Sequence, residues 1–241
     1  MCVCKLAAMR HADQLKLFDI GTQLPNGLIY RPNFITEEEE EILLTYLENA
    51  ALRSPRYELP PEEVEEDNPT SYHSQRRSKG YGWEYDEVHK KFVPGTPLPH
   101  YMHGLQRKIA KWLHIPTPHV AEALINEYTP GASIGWHRDN EPFEIIVGIS
   151  LKGWCRMRFR PLHRIGDPRA VVSIELEPRS VYIMQNDVRW RWQHSVTPVS
   201  TLRYSITLRT LPRAQVREAF VDEYDDRESF VQLMPKSGES D

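Results

Sequence analysis

Arg203-Tyr204-Ser205-Ile206-Thr207-Leu208-Arg209 alternates polar and apolar side chains from end to end. Successive side chains of a strand point to opposite faces, so this period marks a β-strand. Arg203, Ser205, Thr207 and Arg209 share one face; Tyr204, Ile206 and Leu208 share the other. Upstream, the same period of two runs through short segments parted by turns: Leu124–Tyr128, Ile145–Leu151, Cys155–Arg160, Val171–Leu176, Val181–Met184 and then Leu202–Leu211. Many short strands in succession predict a sandwich or barrel. No internal repeat is visible.

Before residue 122 the pattern differs. Leu24-Pro25-Asn26-Gly27 reads as a turn and Leu28-Ile29-Tyr30 as a short strand. Thr36 and Glu39 have capping-box spacing. Ile42, Leu43, Tyr46 and Leu47 then follow at helical spacing, which predicts a helix from about 36 to 50. A second helix is expected over about 99–114, with Pro99 in its first turn, Met102, Leu105, Ile109, Trp112 and Leu113 on one face, and Pro116 as its stop. Between the helices, Pro55, Pro60, Pro61 and Pro69 punctuate the acidic run Glu62–Asp67 and predict a loop. Arg76-Arg77-Ser78-Lys79 and then Gly80-Tyr81-Gly82-Trp83-Glu84-Tyr85 suggest a surface ribbon rich in cations and rings. The reading divides the chain into an N-terminal extension (1–27), a domain over 28–211 and a charged tail (212–241). Within the domain, a lid is expected at about 54–95 and a core at about 122–211.

Composition limits the class. At 241 residues the chain makes one well-cored domain, or two small ones. Three cysteines are too few for a disulfide framework and point to a reducing, intracellular setting, cytoplasmic or nuclear. No apolar run is long enough to span a membrane or to make a secretory signal, and no membrane partner is expected. A net charge of -4 gives no bulk attraction for nucleic acid, so any such contact must come from local basic faces. A monomer is expected.

His137-Arg138-Asp139 places an imidazole and a carboxylate two residues apart, on the same side if the segment is a strand. A further imidazole from a distant strand would give two histidines and one carboxylate on one face of a metal. That set suits Fe(II) and leaves positions open for a chelating co-substrate and O2. His194, ahead of a strand, is the natural third ligand. His100 and His103 form a rival pair, three residues apart on the second helix. On the 203–209 strand, six steps of about 3.3 Å separate the two arginine Cα atoms by roughly 20 Å. Side chains leaning inward would then leave a gap of about 8 Å, the length of a five-carbon diacid. Arginine is the residue suited to bidentate carboxylate binding.

Taken together, Asn126-Glu127-Tyr128-Thr129-Pro130-Gly131, His137-Arg138-Asp139-Asn140-Glu141, His194 and Arg203-x-Ser-x-Thr-x-Arg209 resemble the AlkB family of Fe(II)- and 2-oxoglutarate-dependent dioxygenases, over about residues 28–211. The resemblance implies a mixed α/β, mainly β fold: a double-stranded β-helix, or jelly roll, with an N-terminal helical and β extension serving as a nucleotide-recognition lid. It implies Fe(II) on His137, Asp139 and His194. It implies 2-oxoglutarate on Asn126 and Tyr128, with Arg203 at the distal carboxylate and Arg209 nearer the chelated end. Ser205 stands where the family usually has Asn. The implied reaction is oxidative removal of alkyl groups from nucleobases, as in DNA repair, with O2 consumed and aldehyde, succinate and CO2 released.

For the substrate, the resemblance sets Glu141 beside the target base. Such enzymes extrude that base or act on single strands. Arg158 and Arg160, on a strand that alternates basic and apolar residues, and Arg164 after it are candidates for phosphate contact. So are Arg76, Arg77 and Lys79, with Tyr81, Trp83 and Tyr85 as stacking surfaces. Alkylated DNA and RNA both stay open as partners. Two rival readings are the same chemistry on a protein or small molecule, and a non-catalytic binding module on this fold. Cys2 and Cys4 are too few for a further metal site.

Overall fold

The computed structural model describes residues 24–54, 56–58, 71–73, 76–139 and 142–212. In chain order its strands are β1 (Leu28–Arg31), β2 (Arg56–Glu58), β3 (Ser71–His73), β4 (Arg76–Asp86), β5 (Lys91–Pro94), β6 (Val120–Tyr128) and β7 (Ile134–His137). Then follow β8 (Ile146–Leu151), β9 (Cys155–Pro161), β10 (Val172–Leu176), β11 (Val181–Met184), β12 (Trp192–Val196) and β13 (Arg203–Thr210). The helices are α1 (Glu37–Leu47), α2 (His103–Leu113) and the short α3 (Asn186–Trp190).

Two antiparallel sheets face each other. The major sheet has the order β1-β11-β8-β13-β6-β4-β5 and the minor sheet β10-β9-β12-β7; β2 and β3 pair separately. The strand read first, β13, sits mid-sheet between β6 and β8, with Arg203 opposite Tyr128 and Ser205 opposite Asn126. Its Tyr204, Ile206 and Leu208 pack with Ile125 and Ile149 against Leu43 and Leu47 of α1 and Leu105 and Ile109 of α2. Its polar face turns inward, between the sheets, and Arg203, Ser205 and Thr207 are buried there. Around them lie the apolar inter-sheet residues Tyr128, Met157, Phe159, Ile174, Leu176 and Tyr182. Each such side chain, fully buried, is worth about 1.5–3 kcal/mol. β8 is buried at every position, which is why Ile146–Leu151 reads as an almost unbroken apolar run.

The helices form close to where the pattern places them. Thr36 caps α1: its Oγ1 accepts from the Glu39 N–H, while Glu39 Oε2 accepts from the Thr36 N–H. α1 stops at Leu47, earlier than expected. The second helix opens as a single 3-10 turn, His100–Met102, before α2. It ends at His114, whose φ of 54° is left-handed. Among the described residues no helix is long and apolar enough to cross a membrane.

Four strands depart from the expected pattern. The ribbon at 76–86 is no detached surface feature: β4 pairs with β6 along Arg76–Gly82 and extends the major sheet. β5 folds back on its far end. β7 and β12 are short and broken by Gly135 or Gln193 and Ser195, so alternation alone does not reveal them. The acidic run, residues 1–23 and the tail beyond 212 lie outside the described residues.

Candidate metal and co-substrate site

β7 and β12 are neighbours in the minor sheet, and their register sets His137 directly opposite His194. The rings lie 4.2 Å apart between centroids. His194 is therefore itself on a strand, with β13 following it. Asp139 follows β7 in a loop, two residues past its end. His137, Asp139 and His194 bring one ligand atom each within 4.8 Å of one another, the one such cluster of three among the described residues. The rival His100 and His103 rings meet edge to face at 5.3 Å with no third ligand among the described residues, and His103 Nε2 donates to the Leu98 carbonyl.

Each ligand is aimed by a neighbour. His137 Nδ1 lies 2.9 Å from the Gly135 carbonyl, which can only accept. Nδ1 therefore carries the proton and Nε2 is left as a metal donor. Asp139 Oδ1 accepts from Arg209 Nη2 at 2.6 Å, which leaves Oδ2, 3.4 Å from His194 Nε2, to face the histidines. Burial alone would push the Asp139 carboxyl up, but the Arg209 charge, aided by His194 and His137, holds it well below the usual carboxylate range. Burial lowers His194 to about 3, against the opposing pull of Asp139. The site thus offers two imidazole nitrogens and one carboxylate oxygen, a donor set that fits Fe(II) and leaves part of the coordination shell for other groups.

Both terminal nitrogens of Arg209 are committed, although its buried Nε has no hydrogen-bond partner. Its Nη1 donates to both oxygens of Glu122 on β6, at 2.7 and 2.8 Å, while Nη2 holds Asp139. Burial alone would lower its pKa, yet the two carboxylates keep it above the ordinary arginine value. The two-armed clamp expected from strand arithmetic is therefore not what β13 builds. Arg209 fixes Asp139, the candidate metal ligand, and of the two only Arg203 is free of any carboxylate partner among the described residues. Arg203 is 2% exposed. Its Nε donates to Ser150 Oγ at 3.0 Å and its guanidinium lies 5.0 Å from the Tyr128 ring. Its buried Nη1 has no hydrogen-bond partner. Leaving such a donor unpaired costs about 1–3 kcal/mol, more for a charged group, and a carboxylate is its natural complement.

Both arginines line one cavity of 360 Å³ with His137, Asp139, His194, Asn126, Tyr128 and Ser205. Asn126 Oδ1 accepts from Arg76 Nη1 at 3.1 Å, and Asn126 Nδ2 reaches Ser205 Oγ only at 3.5 Å. The pattern did not announce Tyr182 of β11, which also lines the cavity. Its ring lies where a Cβ on the paired Gly148 would sit, 2.1 Å from Cε1. Glu122 and Trp136 were missed as well; only strand register reveals them.

The substrate candidates divide. Strand alternation sends Arg76 into the cavity wall and Arg77 and Lys79 to the opposite face of β4. Arg77 is held bidentately by Glu127, at 2.7 Å twice, and Lys79 lies over the Tyr81 ring at 5.1 Å. One patch made of all three cations does not form. Tyr81 is no stacking surface either: it is buried in the helix-side core. Trp83 packs on the inter-sheet core instead. Tyr85 meets Phe92 edge to face, Phe92 meets Phe143, and Phe143 lies 5.7 Å from the Arg209 guanidinium, so rings join the β4–β5 hairpin to the site. Arg158 and Arg160 lie on the outer face of the minor sheet; Arg164 pairs with Asp167. Glu141 lies outside the described residues.

The family model of the 2OG-Fe(II) oxygenase superfamily matches residues 27–213. A Xenopus tropicalis protein named tRNA (carboxymethyluridine(34)-5-O)-methyltransferase alkbh8 is 28% identical over 189 residues, 74% of this chain and 26% of that protein. The Arabidopsis thaliana RNA demethylase ALKBH9B is 31% identical over 134 residues, 54% of this chain and 26% of that protein. The chain thus spans about a quarter of the length of these relatives. A solved structure titled "The structure of OsALKBH1" superposes with a TM-score of 0.54 at 14% identity, covering 78% of this chain and 99% of that one.

Proposed function

The chain belongs to the 2OG-Fe(II) oxygenase superfamily, and from that premise we propose that it is an AlkB-like dioxygenase that removes alkyl groups from nucleobases in nucleic acid. The observation that carries the reading is one cavity holding both the His137, Asp139 and His194 cluster and Arg203, whose buried Nη1 has no hydrogen-bond partner. Fe(II), O2 and 2-oxoglutarate, when bound, supply the oxidation: per alkyl group, one O2 and one 2-oxoglutarate give aldehyde, succinate, CO2 and the restored N–H.

The chain's own part is positioning and shielding. His137, Asp139 and His194 would hold the iron. Arg203 would take the far carboxylate of 2-oxoglutarate, with Asn126 and Tyr128 beside it. Arg209 keeps Asp139 ionised and turned toward the histidines, and Glu122 keeps Arg209 in place. Met157, Leu176 and Val196 make the wall apolar and exclude water. Arg76 at the wall and the ring-bearing β4–β5 hairpin beside the site support a nucleobase as substrate, as do the names of the relatives, which make RNA oligonucleotides the first to try.

The test incubates the protein with Fe(II), 2-oxoglutarate, O2 and N-alkylated RNA and DNA oligonucleotides, with mass spectrometry of the bases and assay of succinate and aldehyde. Loss of the alkyl group is expected from wild type and not from His137→Ala. Co-substrate turnover without change in any nucleic acid would move the assignment to a protein or small molecule.

A further inference from the structure

Trp136 borders the cavity beside His137, yet neighbouring strand residues face opposite ways. Its ring turns to the outer face of the minor sheet, where Arg158 and Arg160 project from β9 while Met157 and Phe159 between them fill the core. The Arg158 guanidinium lies 4.9 Å from the Trp136 ring centroid and that of Arg160 4.4 Å. The row is built across three strands: Ser195 of β12 pairs with Arg158 and is itself fully buried, so its short side chain lets ring and guanidinium meet over it. Arg158 Nε donates to Ser195 Oγ at 3.1 Å, and Arg160 Nε to Gln193 Oε1 at 2.8 Å.

What distinguishes these cations is their pairing. Arg156, one step back on the same strand face, is bonded to Glu175, and Arg164 to Asp167. Among the described residues neither Arg158 nor Arg160 has a carboxylate partner; both are fixed through Nε by neutral acceptors, which leaves their outer nitrogens for an anion. α1 and α2 pack on the major sheet, so this face keeps its partly exposed cations and ring. In a chain of net charge -4 the cluster is a local exception, and it is continuous with the cavity wall through Trp136.

We infer that Trp136, Arg158 and Arg160 form a docking surface for the nucleic-acid strand that adjoins the target nucleotide, the arginines meeting phosphates and the indole a base. This rests on the nucleic-acid reading above. Guanidinium groups match phosphate oxygens, and an indole stacks on any base without sequence preference. The surface would hold the strand while the cavity receives the alkylated base.

The test is binding of a labelled, unmodified single-stranded RNA 15-mer by fluorescence anisotropy across salt concentrations. Arg158→Gln/Arg160→Gln is expected to weaken binding about tenfold at low salt and to reduce the salt slope by ~1.4, from ~0.7 per phosphate contact on a single strand. Trp136→Leu is expected to weaken binding by a similar factor with the slope unchanged, because stacking releases no counterions, and Trp136→Phe to recover most of the loss. The affinity of the Mn(II)-loaded double variant for 2-oxoglutarate, unchanged from wild type, checks the fold; Arg160→Gln alone reads the same effect at about half size. Variants with wild-type affinity and slope would overturn the docking surface and leave the proposed function standing. Wild type that binds polyglutamate as tightly as RNA would overturn the nucleic-acid partner of this surface. Wild type that binds no oligonucleotide would overturn both proposals.

Discussion

In the proposed function, Arg203 concentrates the chemistry of the co-substrate end in one side chain. A buried guanidinium has lost most of its hydration, and here one nitrogen is compensated by Ser150 while Nη1 has no partner. The group is affordable in a cavity that receives a carboxylate, and its planar fork matters as much as its charge. Arg203→Lys keeps the charge and loses the fork, so the KM for 2-oxoglutarate is expected to rise about tenfold. Arg203→Ala loses both, and a rise of about a hundredfold is expected, the upper part of the range of about 1.5–3 kcal/mol for a charge-assisted hydrogen bond. Steady-state kinetics with 2-oxoglutarate varied at saturating substrate measures both, and unchanged KM values would remove Arg203 from the co-substrate site. Arg209 differs although it shares the same strand face: it is already neutralised by Glu122 and Asp139. Two arginines of identical pattern thus have different roles, decided by what stands across the ladder from each.

At the scale of elements, β4 depends on one glycine. Gly82 has φ of 89°, and a Cβ there would stand 2.0 Å from the Ala121 carbonyl oxygen. Its left-handed conformation lets Tyr81 enter the helix-side core while Trp83 joins the inter-sheet core. Gly82→Ala is expected to cost about 3 kcal/mol, or roughly 6–12 °C in Tm for a domain of this size. Gly80→Ala, two residues earlier, has open space and ordinary backbone, and is expected to stay within about 0.5 kcal/mol of wild type. Urea unfolding of the two variants checks the contrast, and equal stabilities would refute it. This junction also shows what the sequence tells and what it withholds. Where a strand has one continuous environment on each face, alternation reveals it, as at β9 and β13. Thr36 and Glu39 likewise announce α1, because a cap is a local matter. The fate of β4 was hidden because pairing with β6, far along the chain, decides which of its cations face the cavity. The same holds for Glu122, which meets Arg209 only through the register of β6 on β13, and for β12, too short and polar to signal a strand although it bears His194. His137, Asp139, His194 and Arg203 were legible as residue types in order; their geometry depends on long-range register.

For the whole molecule, two sheets closing on a polar cluster make metal, protons and stability interdependent. The metal would bind the folded chain and not the unfolded one, so at a free concentration of a hundred times Kd it is expected to add about 2.7 kcal/mol, or ~5–10 °C in Tm. Thermal melts with Mn(II) and then with excess EDTA measure the gain and its reversal, and His137→Ala should show neither. Protons act with the opposite sign. Burial lowers the folded pKa of His194 to about 3, whereas in the unfolded chain an imidazole titrates near 6.5. Between those values the unfolded state holds a proton that the folded state does not, so acid favours unfolding: the penalty is absent above 6.5, grows as pH falls and is complete near 3. From pH 6.5 to 5 this one group is expected to remove about 1.6 kcal/mol from the metal-free protein. Asp139, held below its ordinary pKa, stays ionised in both states over that window and contributes no slope. His194→Gln removes the titrating group, so the difference between the two proteins isolates it from every other carboxylate and imidazole. Urea unfolding of metal-free wild type and His194→Gln at pH 6.5 and 5 should show the larger acid loss in wild type; identical losses would mean that the folded site accepts the proton.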